Sequence, residues 1–246
     1  MKIKLLALCA VTGLCASLQA ADTSDVSLAI YYSFETSPPP RLFAAVQSEL
    51  TRILAPANLH VTWRPIDNRS GTDEAFREIV VLRFRGACLF DENSAADVGP
   101  DAAGYPLAET ELVDGHILPF GEVQCDPLRH YIAPLETKRD LDHENTALGK
   151  AIARVGAHEI YHMLTGSVTH ARTGIARAEH SRADLTAGSF SFAKPETDWL
   201  RSWAQRQTIE HVVATKQQAP VAVAAVDNDP VPDGGAGAII SLDSAK

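Results

Sequence analysis

The residues His158-Glu159-Ile160-Tyr161-His162 have types and a spacing that could do chemistry. On a helix, residues four apart lie on one face, about 40° apart around the axis, so the two imidazoles can bind one divalent ion. Glu159 lies about 100° around from His158, where it can take a proton from a water molecule held by that ion. The pattern predicts a metal centre with His158 and His162 as ligands and Glu159 as the catalytic base.

The segment from Asn145 to Gly166 places this pattern on a helix. It contains no proline, and its apolar residues recur at helical spacing in two stripes. One stripe is Ala153, Ala157, Ile160 and Leu164, the other is Leu148, Ala151, Ile152 and Val155, and the narrow polar remainder is Lys150, Arg154 and Tyr161. A helix that is apolar on most sides is buried. Two histidines and a glutamate there are costly unless they are paired or bind metal.

A catalytic zinc site usually has three protein ligands and one open position for water. The chain after the helix offers His170, Glu179, His180 and Asp184 as the third ligand. We favour His170, because Gly166 is suited to end the helix in a left-handed conformation and the loop can then double back. Glu179, His180 and Asp184 remain alternatives, since a longer loop can also reach the metal.

The N-terminus has the pattern of a secretory signal peptide. Two lysines are followed by an apolar run from Leu5 to Leu18 and by small residues at Ala20-Ala21. We predict a signal peptide over 1–20, a single globular domain over 21–216 and a disordered tail over 217–246, where few large apolar residues occur. The protein is then secreted or periplasmic, with no membrane anchor after cleavage.

Cys88 and Cys125 are the cysteines that remain after the signal peptide, which holds Cys9 and Cys15. Two cysteines in an exported protein most simply form one disulfide. The alternatives are two free buried thiols, or Cys88 as a zinc ligand.

Composition is that of a globular protein, with 46% hydrophobic and 22% charged residues. Loss of residues 1–20 removes Lys2 and Lys4, which leaves 20 basic against 31 acidic residues and changes the net charge from −9 to −11. An acidic exported chain is a poor candidate for binding nucleic acid.

The first third of the chain predicts a strand–helix–strand–strand order. Alternation and β-formers indicate strands at Val26–Phe34, Leu59–Trp63 and Glu78–Phe84. A helix begins at the prolines 38–40 and ends at Pro56. This spacing is typical of a βαβ unit with parallel strands.

The middle of the chain predicts a hairpin. Asp114-Gly115 joins the arms Leu107–Val113 and His116–Val123, and Pro119 limits the pairing of the second arm. Glu109 and Glu111 suit the first arm to a sheet edge. We interpret 138–144 as a charged linker before the helix, 169–180 as irregular and 181–186 as a helical turn. A closing helix over 195–215 would bury Trp199, Leu200, Trp203, Ile209 and Val213.

The predicted order of elements followed by an HExxH helix resembles the zincin metallopeptidases, and within them the metzincins. The resemblance covers Val26 to His170. It implies an α+β fold with a twisted mixed sheet, an antiparallel edge strand, a crossover helix and a central HExxH helix, followed by a small C-terminal helical subdomain. It also implies Zn²⁺ and a peptide or protein substrate, which would pair as an added strand with the Leu107–Val113 arm.

The sequence departs from the metzincin pattern H-E-x-x-H-x-x-G-x-x-H at two points. Gly166 comes one position late, and His170 comes two positions late. Metzincins also place a methionine in a turn beneath the metal, whereas this chain has Met1 and Met163 alone.

The sequence favours a secreted zinc peptidase and leaves two alternatives. One is a non-catalytic zincin-like module that binds zinc or a partner, although Glu159 would then have no role. The other is a zinc hydrolase acting on a small amide, as in peptide deformylase, where a cysteine such as Cys88 completes the site.

Overall fold

A computed structural model describes residues 26–67, 76–92, 94, 106–133 and 140–217, with side chains up to 209. The predicted signal peptide, the tail beyond 217 and most of the Asp91–Gly104 segment lie outside these residues. The helices and strands are β1 Val26–Phe34, α1 Pro40–Leu54, β2 Leu59–Pro65, β3 Glu78–Arg85, β4 Ala108–Val113, β5 His116–Gln124, α2 Cys125–Ile132, α3 Leu141–Thr165, α4 Arg182–Thr186 and α5 Lys194–Gln217, with a 3₁₀ turn at Ala55–Ala57 after α1.

The strands form one mixed sheet in the order β2-β1-β3-β5-β4. β1 pairs in parallel with β2 and β3, β3 pairs in parallel with β5, and β4 is an antiparallel edge strand on β5. The hairpin turn has positive φ at both Asp114 (50°) and Gly115 (79°), as a two-residue type I′ turn requires. The predicted α+β fold, its parallel βαβ start and its antiparallel edge strand are confirmed.

The β4–β5 pairing is interrupted beside Pro119. Thr110 pairs with Gly121, whereas Leu112 pairs with Ile117, so residues 118–120 of β5 lie opposite the single Glu111. Proline has no backbone N–H to donate, which accounts for a break in the ladder at this point. β4 therefore joins the sheet through two short paired stretches.

Helix α3 is the central element of the fold. It contacts α1, β5, β4 and the three remaining helices, and all ten residues from Ala151 to Ile160 are buried. The predicted burial of both apolar stripes is confirmed. The histidines at its C-terminal end are therefore carried by a helix whose orientation is fixed on almost every side.

The start of α3 differs from the prediction of a charged linker over 138–144. The helix already begins at Leu141, because the side chain of Asp140 accepts a hydrogen bond from the backbone N–H of His143 and caps it. Asn145 in the next turn is buried and exchanges hydrogen bonds with the backbone N–H and C=O of Phe90, at 2.8 and 2.9 Å. These contacts order a segment that its charged residues alone predict to be an exposed linker.

Arg154 also differs from the prediction, which placed it on the polar side of the helix. It is 0% exposed and pairs with the buried Glu49 of α1, with Nη2 at 2.7 Å from the carboxylate. Arg52 binds the same carboxylate. The remaining donors of Arg154 bind the backbone carbonyls of Asp184, Leu185 and Ala187. One buried guanidinium therefore joins α3 to α1 and to the end of α4.

The closing helix α5 buries a narrower face than predicted. Leu200, Trp203 and Ala204 are buried, but Trp199 is 38% exposed and Ile209 is 63% exposed. The side chain of Val213 lies outside the described residues. The buried positions follow i, i+3 and i+4, so one narrow face of α5 packs against the 3₁₀ turn Ala55–Ala57, β1 and α3.

Cys88, just after β3, and Cys125, the first residue of α2, form a disulfide with a Cα–Cα distance of 4.9 Å. Both are completely buried. A cysteine in a disulfide has no thiolate to offer, so Cys88 is not a zinc ligand here. None of the described helices combines the length and hydropathy needed to cross a membrane.

We expect Glu49→Gln to lower the free energy of unfolding at pH 7 by about 3 kcal/mol, because it leaves the buried Arg154 without a counter-charge. Burial alone would raise the pKa of Glu49, but hydrogen bonds from Arg52 and Arg154 outweigh it and hold the pKa below its ordinary value of 4.5. A lowered pKa stabilises the fold above pH 4.5, and this stabilisation is lost as the pH falls through the folded-state pKa.

Urea unfolding from pH 7 to pH 3 measures both effects. The Glu49→Gln variant should be less stable than the wild-type protein at pH 7, and it should lose less stability than the wild-type protein as the pH falls. Glu111→Gln, the same change at an exposed position of β4, is the matched control and should leave the curve nearly unchanged. If the Glu49→Gln and wild-type proteins lose the same free energy of unfolding between pH 7 and pH 3, the pairing of an ionised Glu49 with Arg154 is contradicted.

Candidate metal centre

His158 and His162 lie side by side at the C-terminal end of α3. They are 8% and 5% exposed, and their Nε2 atoms are 3.0 Å apart. The other ring nitrogen of each is bound to a backbone carbonyl: Nδ1 of His158 lies 2.8 Å from the carbonyl oxygen of Ile175, and Nδ1 of His162 lies 2.5 Å from that of Ser167. Because a carbonyl only accepts hydrogen bonds, both Nδ1 atoms carry the proton.

The two Nε2 atoms therefore present lone pairs to one another. Burial lowers the pKa of His158 to about 4 and also lowers the pKa of His162, which favours the neutral form of each ring. Two lone pairs at 3.0 Å repel each other unless a cation lies between them. The donor set and its orientation could hold a metal ion, because the bond that each Nδ1 makes fixes the tautomer that leaves Nε2 available.

His170 joins this pair through a tight turn. Gly166 ends α3 with φ 60°, and its N–H donates to the carbonyl of His162 at 2.9 Å. The loop then doubles back, as the left-handed glycine predicts, and the ring of His170 stacks on His158 with centroids 5.2 Å apart. One nitrogen from each of the three histidines lies within 4.8 Å of the others.

The three nitrogens fit a zinc ion with a small adjustment. Zn–N bonds of about 2.0–2.1 Å in tetrahedral geometry place ligand nitrogens about 3.4 Å apart. The His158–His162 pair is near this separation. His170 is on the exposed loop 167–170, where its side chain can rotate toward the other two.

Glu159 lies beside the three histidines and is 6% exposed. Its Oε2 accepts a 2.6 Å hydrogen bond from the hydroxyl of Thr110 on β4. Burial raises the pKa of Glu159 to about 7, opposed by the Thr110 bond and aided by the charge of Glu109. A dication bound next to it would favour the ionised carboxylate and lower this pKa.

The other candidate ligands have separate partners. His180 lines the same cleft and uses Nε2 to bind the carbonyl of Ile175 at 2.8 Å, with its ring 5.5 Å from His158. The Oδ2 of Asp184 binds Ser181 and Arg177 in the capping box of α4. Glu179 lines the cleft without joining the cluster. Among the described residues, His170 is the candidate that forms a cluster with His158 and His162, and Glu179, His180 and Asp184 are not part of that cluster.

The support for the histidines comes from a turn within 169–180, a segment for which the sequence predicts only irregular structure. The carbonyl of Ile175 accepts from both His158 and His180, and Ile175 is completely buried. Gly174 precedes it with φ 73°, and a Cβ there would come 2.7 Å from the backbone nitrogen of Ala193. The glycine is the one local signal that could have marked this turn; nothing local indicates which carbonyl faces the histidines.

A cleft of about 910 Å³ opens over the cluster. The three histidines and Glu159 line it together with Leu107 and Ala108 near the start of β4 and with Tyr131, Glu179 and His180. The hydroxyl of Tyr131 donates to the backbone carbonyl of His180 at 3.0 Å, which connects two of the lining segments.

No protein-family model matches this chain, and no curated protein matches its sequence. Among solved structures, the chain is similar to archaemetzincin from Methanopyrus kandleri, with 10% sequence identity, a TM-score of 0.43, and coverage of 78% of this chain and 99% of that one. At this degree of similarity, the interpretation of the site depends on the geometry of its own residues.

Proposed function

We propose that this protein is an exported zinc-dependent peptidase. The observation that carries the proposal is the convergence of two buried Nε2 lone pairs at 3.0 Å, with His170 beside them and the buried carboxylate of Glu159 next in the chain. A structural zinc site is closed by four protein ligands and has no use for a base. Three histidines, an adjacent carboxylate and an open cleft are the arrangement of a hydrolytic site.

His158, His162 and His170 would hold the zinc ion. The ion, when bound, lowers the pKa of a water molecule and polarises the carbonyl of the scissile bond. Glu159 accepts the proton of the water as its oxygen adds to the carbonyl carbon. Glu159 then returns this proton to the nitrogen as the C–N bond breaks, which yields a carboxylic acid and an amine.

The edge strand supports a peptide as the substrate. β4 is paired with β5 on one side alone among the described residues, and it begins at the wall of the cleft. A peptide in extended conformation can bind to such an edge through backbone hydrogen bonds. Export is supported by the leader pattern at 1–20 and by the Cys88–Cys125 disulfide.

A non-catalytic zinc-binding module is the alternative, and activity with and without a chelator separates the two. The purified 21–246 chain should cleave casein or a peptide library, lose this activity with a zinc chelator and regain it with added zinc. A protein that binds zinc tightly and cleaves neither substrate would favour the module.

We expect Glu159→Gln to retain zinc and to lower kcat/KM by about 100-fold or more, because the amide cannot accept the proton of the water. Peptide hydrolysis and elemental analysis of the same preparation measure the two properties. Equal rates in the variant and wild-type proteins would exclude the role of Glu159 as the base.

We expect His170→Ala to lose zinc or activity, because it removes the third ligand. His60→Ala changes an exposed histidine of β2 at the far edge of the sheet and is the matched control. Zinc content after dialysis checks both variants. If the His170→Ala variant keeps full zinc occupancy, His170 is not the third ligand, and His180 or Glu179 has that role.

We expect Gly174→Ala to weaken zinc affinity by about 10- to 100-fold, since the added methyl group displaces the turn whose carbonyl orients His158. Gly188→Ala is the matched control, because a Cβ at Gly188 meets no atom within 4 Å. Competition with a zinc-binding dye gives both affinities, and urea unfolding verifies that each variant is folded. Equal zinc affinities in the two variants would show that the Ile175 carbonyl does not support the site.

A further inference from the structure

Thr110 lies on the edge strand β4, yet it contacts the proposed base on α3. Its hydroxyl oxygen is 2.6 Å from Oε2 of Glu159 and 3.5 Å from the backbone carbonyl of Glu159. A hydroxyl donates one hydrogen, and the shorter contact has the length of a charge-assisted bond to a carboxylate. Among the described residues, Thr110 is the one side chain that hydrogen-bonds this carboxylate.

The alternation of β4 explains why a threonine faces the helix. Glu109 and Glu111 are exposed, and successive residues of a strand point to opposite faces. Thr110 therefore faces α3 from a strand whose other neighbouring side chains face solvent. A donor on this face binds the carboxylate, whereas an acidic residue in its place would repel it.

The residue opposite Thr110 on β5 is Gly121, and a Cβ at Gly121 would come 2.5 Å from Cε of Met163 on α3. The side chain of Met163 therefore lies against the backbone of Gly121. The sheet contributes no β5 side chain at this position, and α3 packs close to the paired strands beside Thr110.

We propose that Thr110 is a positioning residue for Glu159. Its hydroxyl holds Oε2 and leaves Oε1 to accept the proton of the attacking water. The hydrogen bond also connects Glu159 to β4, the strand on which we expect the substrate to lie, so β4 positions both the base and the substrate. This inference rests on the proposed function, and it assigns a role to Thr110, which is not part of any motif in the sequence.

Two substitutions test this role. We expect Thr110→Val, which keeps the shape and removes the donor, to lower kcat by about 10-fold with KM changed by less than about twofold. Thr110→Ser keeps the donor and should retain kcat within about twofold of the wild-type value. Thr62→Val, on the opposite edge strand β2, is the matched control and should leave both constants unchanged.

A double variant distinguishes positioning from general support of the fold. In the Glu159→Gln background, Thr110→Val should lower the residual rate by less than about twofold, because the carboxylate through which it acts is gone. A loss as large as in the wild-type background would overturn the proposal, and so would an unchanged kcat in Thr110→Val alone.

Binding of acetohydroxamate gives a readout that needs no peptide hydrolysis. This probe chelates a metal and gives up its proton to a nearby carboxylate, so its affinity reports the placement of Glu159. Calorimetry on zinc-loaded proteins should show about 5- to 10-fold weaker binding to Thr110→Val and to Glu159→Gln, and normal binding to Thr110→Ser. If the wild-type protein cleaves no peptide, the proposed function fails, and this series alone decides the role of Thr110: equal affinities of Thr110→Val and the wild-type protein would overturn it.

Discussion

Two imidazole lone pairs held 3.0 Å apart in a buried site are the constraint on which the rest of the structure depends. Backbone carbonyls of Ser167 and Ile175 fix the tautomers, and the burial of α3 keeps both rings neutral. Such an arrangement suits a cation held between the two nitrogens. It requires that the elements around α3 keep both rings in place.

The surrounding elements supply the rigidity that this pair of rings requires. Arg154 lies one helical turn before His158 and binds α1 and the end of α4 from inside the core. The disulfide holds the start of α2, and α2 carries Tyr131 at the wall of the cleft. Both connections join segments that are far apart in sequence. Arg154 is part of the helix that carries the histidines, and α2 packs against that helix.

The sequence predicts the parts of this protein that depend on local patterns. The strands of the βαβ unit follow from alternation, the β4–β5 turn follows from Asp114-Gly115, and the left-handed end of α3 follows from Gly166. Arg154 was assigned to the polar side because periodicity treats every charged residue as a surface residue; its partner Glu49 is 105 residues away. The contacts of Thr110 and Ile175 with the site likewise arise from tertiary packing, which no local pattern encodes.

The spacing of Gly166 and His170 after the HExxH motif is consistent with the geometry around His162. Three residues of α3 follow His162 before Gly166 turns the chain, and three residues then separate Gly166 from His170. The backbone N–H of Ser167 donates to the hydroxyl of Thr165, and the backbone N–H of Thr169 donates to the hydroxyl of Ser167. The carbonyl of Ser167 orients His162, so the segment that carries the third histidine also fixes the second. The turn at Gly166 thus positions His170 together with the support of His162, and the three nitrogens converge.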